Sequence, residues 1–324
     1  MMPWVGRRVL LLVIGSTLLL AVGCAGTADR FDSGDATGAA KSQETFPSPE
    51  AAAQGLLDAL AAGDGDAQRL VLGSELDRLG SGDPVADALE KEAFVAAANE
   101  ARGIEFADDE TAYMTVGSDA WRLPIPIVRT DGGWRFDTAE GVEEYLDLRI
   151  GRNELHTIAT MRTYVDAQYE YASQDRTGEG ARQFASRFVS SDGRRDGLFW
   201  PAAAGEPESP LGPLAARAVE EGYFARKPTA PVPYHGYLYR ILTGQGEYAP
   251  GGAMSYVADG RMTRGFALLA FPETYGNSGV MTFIVNQRGI VYQKDLGPDT
   301  RRLVDRIIAY DPAPGWEAVT DPYF

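Results

Sequence analysis

The chain has 324 residues, a formal charge of −16, two histidines and one cysteine. That length is about two domains' worth of chain and can bury a sizeable core. So acidic a balance excludes nucleic acid and anionic lipid headgroups as partners of the protein surface, because both repel it. A lone cysteine excludes an internal disulfide. The two histidines, His156 and His235, stand far apart in sequence without a partner at metal-ligand spacing, so neither a metal nor a cofactor is expected.

Residues 1–23 open with Arg7-Arg8 and an apolar core from Val9 to Ala21. That core is shorter than the roughly 20 apolar residues of a spanning helix and has the form of a secretory signal. Ala21-Val22-Gly23-Cys24 resembles the lipobox of bacterial lipoproteins. The resemblance implies that residues 1–23 are removed, that Cys24 is acylated, and that the protein meets the membrane through this N-terminal lipid in the bacterial cell envelope. Ala25 stands where some enteric lipoproteins carry a retaining Asp, which implies the periplasmic face of the outer membrane in a diderm host. An ordinary cleaved signal with an incidental cysteine is the alternative. Cleavage removes two arginines and no acid, moving the formal charge from −16 to −18.

Residues 24–45, rich in Gly, Ala, Ser, Thr and Asp, read as a flexible tether. A first α+β domain is expected over 46–149. Ser48-Pro49-Glu50 starts a helix that Gly63 stops, with Ala52, Leu56, Leu57 and Leu60 on one face. Leu70-Val71-Leu72 is a second short apolar stretch, and Asp83-Pro84 precedes a helix from Val85 to Arg102. Residues 111–137 read as strands, with Pro124 and Pro126 predicting a sheet edge. Helices followed by a hairpin ending in Gly133-Trp134-Arg135-Phe136-Asp137 resemble the nuclear-transport-factor-like superfamily, which hosts enzymes and binding modules alike.

A second α+β domain is expected over 150–324. Its opening helix runs from Asn153, with Leu155, Ile158, Met161, Val165, Tyr169 and Ala172 predicted to line the buried face. An irregular, proline-rich stretch follows, then strands over 235–242, 253–258, 265–271, 280–286 and 290–294. The helix from Asn153 to Tyr171 and the later run from Gly265 to Gly289 resemble the soluble part of type IV pilins and pseudopilins. The hydrophobic helix that builds filaments is missing before Asn153, so that function is not implied. Most of residues 46–316 is similar to a bacterial lipoprotein family catalogued as domain of unknown function 2950. The matching text includes Leu79-Gly80-Ser81-Gly82-Asp83, Arg149-Ile150-Gly151-Arg152-Asn153-Glu154 and His235-Gly236-Tyr237. That resemblance implies a fold and no mechanism.

The chemistry-bearing patterns are sparse. Asp64-Gly65-Asp66 with Glu75 has Arg69 where a calcium loop needs Gly. Gly244 to Gly252 lacks the Gly-Lys-Ser or Gly-Lys-Thr ending of a phosphate loop. Glu143-Glu144 and Asp108-Asp109 read as solvated charge. The aromatic, proline-rich region between Leu198 and Tyr239 stands out, because rings with polar tips suit recognition of a peptide or glycan, or else seal a domain junction. Trp200, Tyr223, Tyr234, His235, Tyr237, Gln245 and Asp295 form the candidate binding surface. The expectation is a non-enzymatic module for another envelope protein or polymer. The alternatives are a hydrolase with a pocket near His235, Gln245 and Asp295, and an accessory factor of a secretion or pilus system.

Overall fold

The computed structural model describes residues 42–202, 205–223 and 232–320, so Cys24, the signal segment and most of the tether lie outside the described residues. Local chemistry sets the first elements. Helix α1 (Pro49–Ala62) begins at Ser48, whose side chain accepts from Ala51 N, and ends at Gly63, whose φ of 66° closes the last turn onto Leu60 O. Asp64 caps α2 (Gly65–Leu72) through Asp66 N and Ala67 N. A short α3 (Leu76–Leu79) precedes α4 (Pro84–Glu100), capped by Asp83.

The strands β1 (Arg102–Phe106), β2 (Thr111–Val116), β3 (Trp121–Arg122), β4 (Ile127–Thr130) and β5 (Gly133–Phe136) form an antiparallel sheet ordered β1-β2-β4-β5, with β3 paired to β2. Leu56, Leu57 and Val71 from the helices meet Met114, Ile127 and Phe136 from the sheet in one hydrophobic core. The helix expected to reach Arg102 ends at Glu100, and Arg102 instead opens β1, for which the sequence carries no strand signal. This strand is exposed along almost its whole length and so lacks the alternation that marks a half-buried strand. The edge-strand expectation for the prolines is also corrected. Pro124 and Pro126 lie in the bend before β4, which runs inside the sheet, so their missing N–H groups remove no bond from its ladder. Outside β5, Phe46 exchanges both backbone bonds with Trp134, and Gln43 donates to Val71 O and Phe136 O.

Helix α5 (Thr138–Ala172) is 35 residues long and starts 15 positions before the expected Asn153. Met161 and Val165 are buried as predicted, but Leu155 is 62% and Tyr169 50% exposed. The buried stripe instead carries Arg149, Asn153, Thr157, Tyr164, Gln168 and Tyr171. Strands and loops packed against α5 supply hydrogen-bond partners for these polar groups, so apolar periodicity marks this face poorly.

Within the stretch expected to be irregular lies α6 (Gly212–Glu220). Then come β6 (Tyr237–Leu242), β7 (Gly244–Gln245), β8 (Met254–Ser255), β9 (Val257–Ala258), β10 (Arg261–Met262), β11 (Ala267–Pro272), β12 (Met281–Asn286), β13 (Tyr292–Asp295), α7 (Thr300–Val304) and β14 (Glu317–Ala318). The second five-stranded sheet is antiparallel in the order β14-β13-β12-β11-β6. Helix α5 packs on β11 and β12, and α7 on β11. A second core gathers Tyr164, Trp200, Tyr237, Phe266, Leu269, Phe283 and Ile284. The fold is mixed α+β: helices with a small antiparallel sheet, a long helix, and a second antiparallel sheet. No described helix is long and apolar enough to cross a membrane.

Candidate functional site

Four of the seven candidate residues gather where the two cores adjoin. Tyr234 and Tyr237 exchange both backbone bonds, which makes Tyr234-His235-Gly236-Tyr237 a two-residue hairpin. Its central residues have φ of 49° and 75°, the arrangement of a type I′ turn. Glycine meets that requirement freely, and His is one of the few other residues that tolerates it.

The turn's two central N–H groups both have side-chain acceptors, one of them in the first half of the chain. His235 N donates to Tyr223 Oη at 3.1 Å, and Gly236 N donates to Asp83 Oδ2 at 3.1 Å. Tyr223 in turn donates its hydroxyl to Asp83 Oδ2 at 2.9 Å. Burial pushes the Tyr223 phenol far above its ordinary range, so it stays protonated and available as a donor. The other oxygen, Asp83 Oδ1, accepts from Val85 N and Ala86 N at 3.1 Å each. One fully buried carboxylate therefore caps α4 and receives the hairpin.

Neighbouring contacts repeat this pattern. The buried Arg149 guanidinium donates to Leu79 O and, at 2.9 Å, to Asn277 Oδ1. Asn277 Nδ2 donates to Gly80 O at 2.8 Å, and Asn153 Nδ2 to Ser278 O at 2.9 Å. Glu154 Oε1 accepts from Val280 N and Met281 N, whose carbonyl takes the Tyr237 hydroxyl. The loop before α4, the middle of α5 and the loop between β11 and β12 are thus joined by side chains bonded mainly to backbone.

The two histidines, far apart in sequence, meet at this junction. Their ring centroids are 4.5 Å apart with planes at 85°, and Tyr234 lies 4.4 Å from His235. His235 Nε2 is 3.3 Å from Glu221 Oε2, with side chains 16% and 22% exposed, yet that buried oxygen accepts no hydrogen bond. Burial, followed by the charges of His156, Arg152 and Arg217, brings His235 down to about 4. His156 is lowered for the same main reason, and burial raises Glu221. At neutral pH the imidazoles form an uncharged pair beside the Glu221 carboxyl group. No cluster of three or more His, Cys, Asp or Glu residues among the described residues is arranged to hold a metal ion.

The other candidates lie elsewhere. Trp200 sits in the second core with the Arg176 and Arg195 guanidinium groups 5.4 and 5.5 Å from its ring. Asp295 ends β13, and the sheet register places it three strands from Tyr237, about 14 Å at the usual strand spacing. Gln245 is in β7, past the opposite end of β6. It donates to Pro250 O and Gly252 O and accepts from Tyr256. His235, Gln245 and Asp295 therefore do not meet in one pocket. Gly246 and Asp295 instead border a cleft of about 620 Å³ whose lining includes Lys294, Leu303, Arg306, Ile308, Asp311 and Trp316.

A family profile described as "Protein of unknown function (DUF2950)" matches residues 43–319. The chain belongs to the DUF2950 family. No curated protein and no solved structure matches it. In this DUF2950 chain the junction residues missed by the sequence reading are Asp83, Arg149, Glu221 and Asn277. A signal for them was present, since Leu79–Asp83, Arg149–Glu154 and His235–Tyr237, three of the segments that carried the family resemblance, converge here.

Proposed function

We propose that the protein is a lipid-anchored envelope module, attached through Cys24, that binds another envelope protein or polymer without catalysing a reaction. In a diderm host it would stand at the periplasmic face of the outer membrane. One observation carries the non-enzymatic part: the side chains best suited to chemistry are engaged as fasteners. Asp83 holds four donors, Gln245 closes a loop, and Asp295 accepts from Gly297 N and Tyr275. His235 Nε2 faces the Glu221 carboxylate rather than a hydroxyl it could activate. Such a network favours one rigid arrangement of backbone, which suits a presented surface.

The lipid part draws support from the lipobox-like text at Ala21–Cys24 and from an acidic surface that anionic headgroups repel. Crosslinking in living cells, followed by identification of the captured species, tests the whole reading. A reproducible envelope partner is expected. Recovery of none, together with turnover of a cell-wall polymer by the purified protein, would overturn it.

A further inference from the structure

Two acids and two cations border the 620 Å³ cleft, and they are not equivalent. Asp295 turns its carboxylate to Gly297 N at 2.7 Å and Tyr275 Oη at 3.3 Å, and Asp311 Oδ1 accepts from Tyr248 N at 2.8 Å. Lys294 and Arg306 make no ion pair among the described residues. Two cations thus stand with unengaged heads in a chain of net charge −16, where most of the surface repels an acidic partner.

The register defines the cleft further. Because Gln293 faces Glu317 across the β13–β14 pair, Lys294 and Trp316 are opposite and share one face of the sheet. Ile308, 79% exposed, and Leu303 supply apolar surface from the segment around α7. The outermost strand, β14, is exposed and directly follows Trp316, so its outer backbone edge borders the same region.

We propose that this cleft is the partner site of the module, and that its occupant is an extended peptide carrying carboxylates between apolar side chains. The carboxylates meet Lys294 and Arg306, the apolar groups rest on Trp316 and Ile308, and the peptide backbone adds to the β14 edge. This rests on the interaction reading above and deepens it.

The test uses the full chain with a fluorescein-labelled pentapeptide of alternating leucine and glutamate, and the same peptide with lysine in place of glutamate. Anisotropy should show the glutamate peptide bound at least about tenfold more tightly, with a loss of about tenfold or more in the Lys294→Glu, Arg306→Glu double variant. Ile308→Ser, at a site exposed enough to leave folding intact, should weaken both peptides. Equal affinity for the two peptides, or an unchanged affinity in the double variant with an unchanged urea midpoint, would overturn the proposal. In-cell crosslinking separates it from the broader reading. If the double variant captures the same partner as the wild type, the cleft is wrong and the interaction module stands; if neither captures anything, both fail.

Discussion

The Asp83→Ala substitution tests whether one carboxylate holds the two halves of the chain together. Removing the side chain deletes both cap bonds to α4, worth about 1 kcal/mol. It also leaves the Tyr223 hydroxyl and the Gly236 N–H without their acceptor in a buried site, at about 1–3 kcal/mol each. The expected loss is about 4 kcal/mol, a large share of the roughly 5–15 kcal/mol that stabilises a folded domain. Urea unfolding of the purified Asp83→Ala chain against the wild type, followed by tryptophan fluorescence, measures it as a lower midpoint.

Two companion variants separate the cap from the tie. Tyr223→Phe leaves His235 N unpaired and should cost about 1–2 kcal/mol. Because Tyr223 and Asp83 share a bond, the double variant should fall short of the sum by about 1 kcal/mol or more. Asp83→Asn keeps an oxygen for α4 but presents an amide to two donors, so it should lie between wild type and Asp83→Ala. A loss below about 1 kcal/mol for Asp83→Ala, the value of an ordinary cap alone, would refute the junction.

Other expectations follow from the same contacts. In α5, Gly141 lies against the backbone of the preceding bend, where a Cβ would come 2.6 Å from Pro124 O and 2.9 Å from Ile125 N, whereas Gly151 has nothing within 4 Å. Gly141→Ala should therefore destabilise by about 2 kcal/mol or more, and Gly151→Ala should stabilise by about 0.5–1 kcal/mol. The same sign for both in a melting experiment would contradict the packing. His235, lowered from 6.5 to about 4, takes up a proton more readily when unfolded, so its contribution is full above about 6.5 and fades as pH falls toward 4. The drop corresponds to at most about 3 kcal/mol. Glu221 opposes it, because a raised carboxyl relieves its burial cost on protonation in acid. His235→Asn, which suits the turn, should flatten the stability profile between pH 6.5 and 4; parallel profiles would count against the buried imidazole. Cys24→Ser should release an intact protein from the membrane fraction, and continued tight association would reveal a second membrane contact.

What the sequence reveals depends on how far apart the bonded groups lie. The limits of α1 are legible because Ser48 and Gly63 act on backbone within three residues of themselves. Strands β6, β11, β12 and β13 are legible within two residues or so: β11 and β12 because their apolar runs are nearly continuous, β6 and β13 because aromatic and β-branched residues recur in them or just before them, between glycine or polar turns. The inner face of α5 is not, because its polar residues find their partners outside the helix, some close in sequence, as with Gln168 at Ala185, and others 70 and 128 positions away, as with Arg149 at Leu79 and Asn277. Asp83 shows both regimes in one side chain. Asp83-Pro84 announces a helix start, and Oδ1 does that work two and three residues downstream. Oδ2 is occupied by Tyr223 and Gly236, 140 and 153 residues further along. Nothing near Asp83 distinguishes it from Asp64, which caps α2 in an exposed turn with bonds to its own neighbours alone. Burial is the difference: an exposed cap can leave an oxygen to water, but a fully buried one must find donors, and here they come from the hairpin at His235-Gly236. The candidate aromatics were recognisable as a group because rings cluster in sequence near this hairpin. Their common acceptor was hidden in a residue that already had a local explanation.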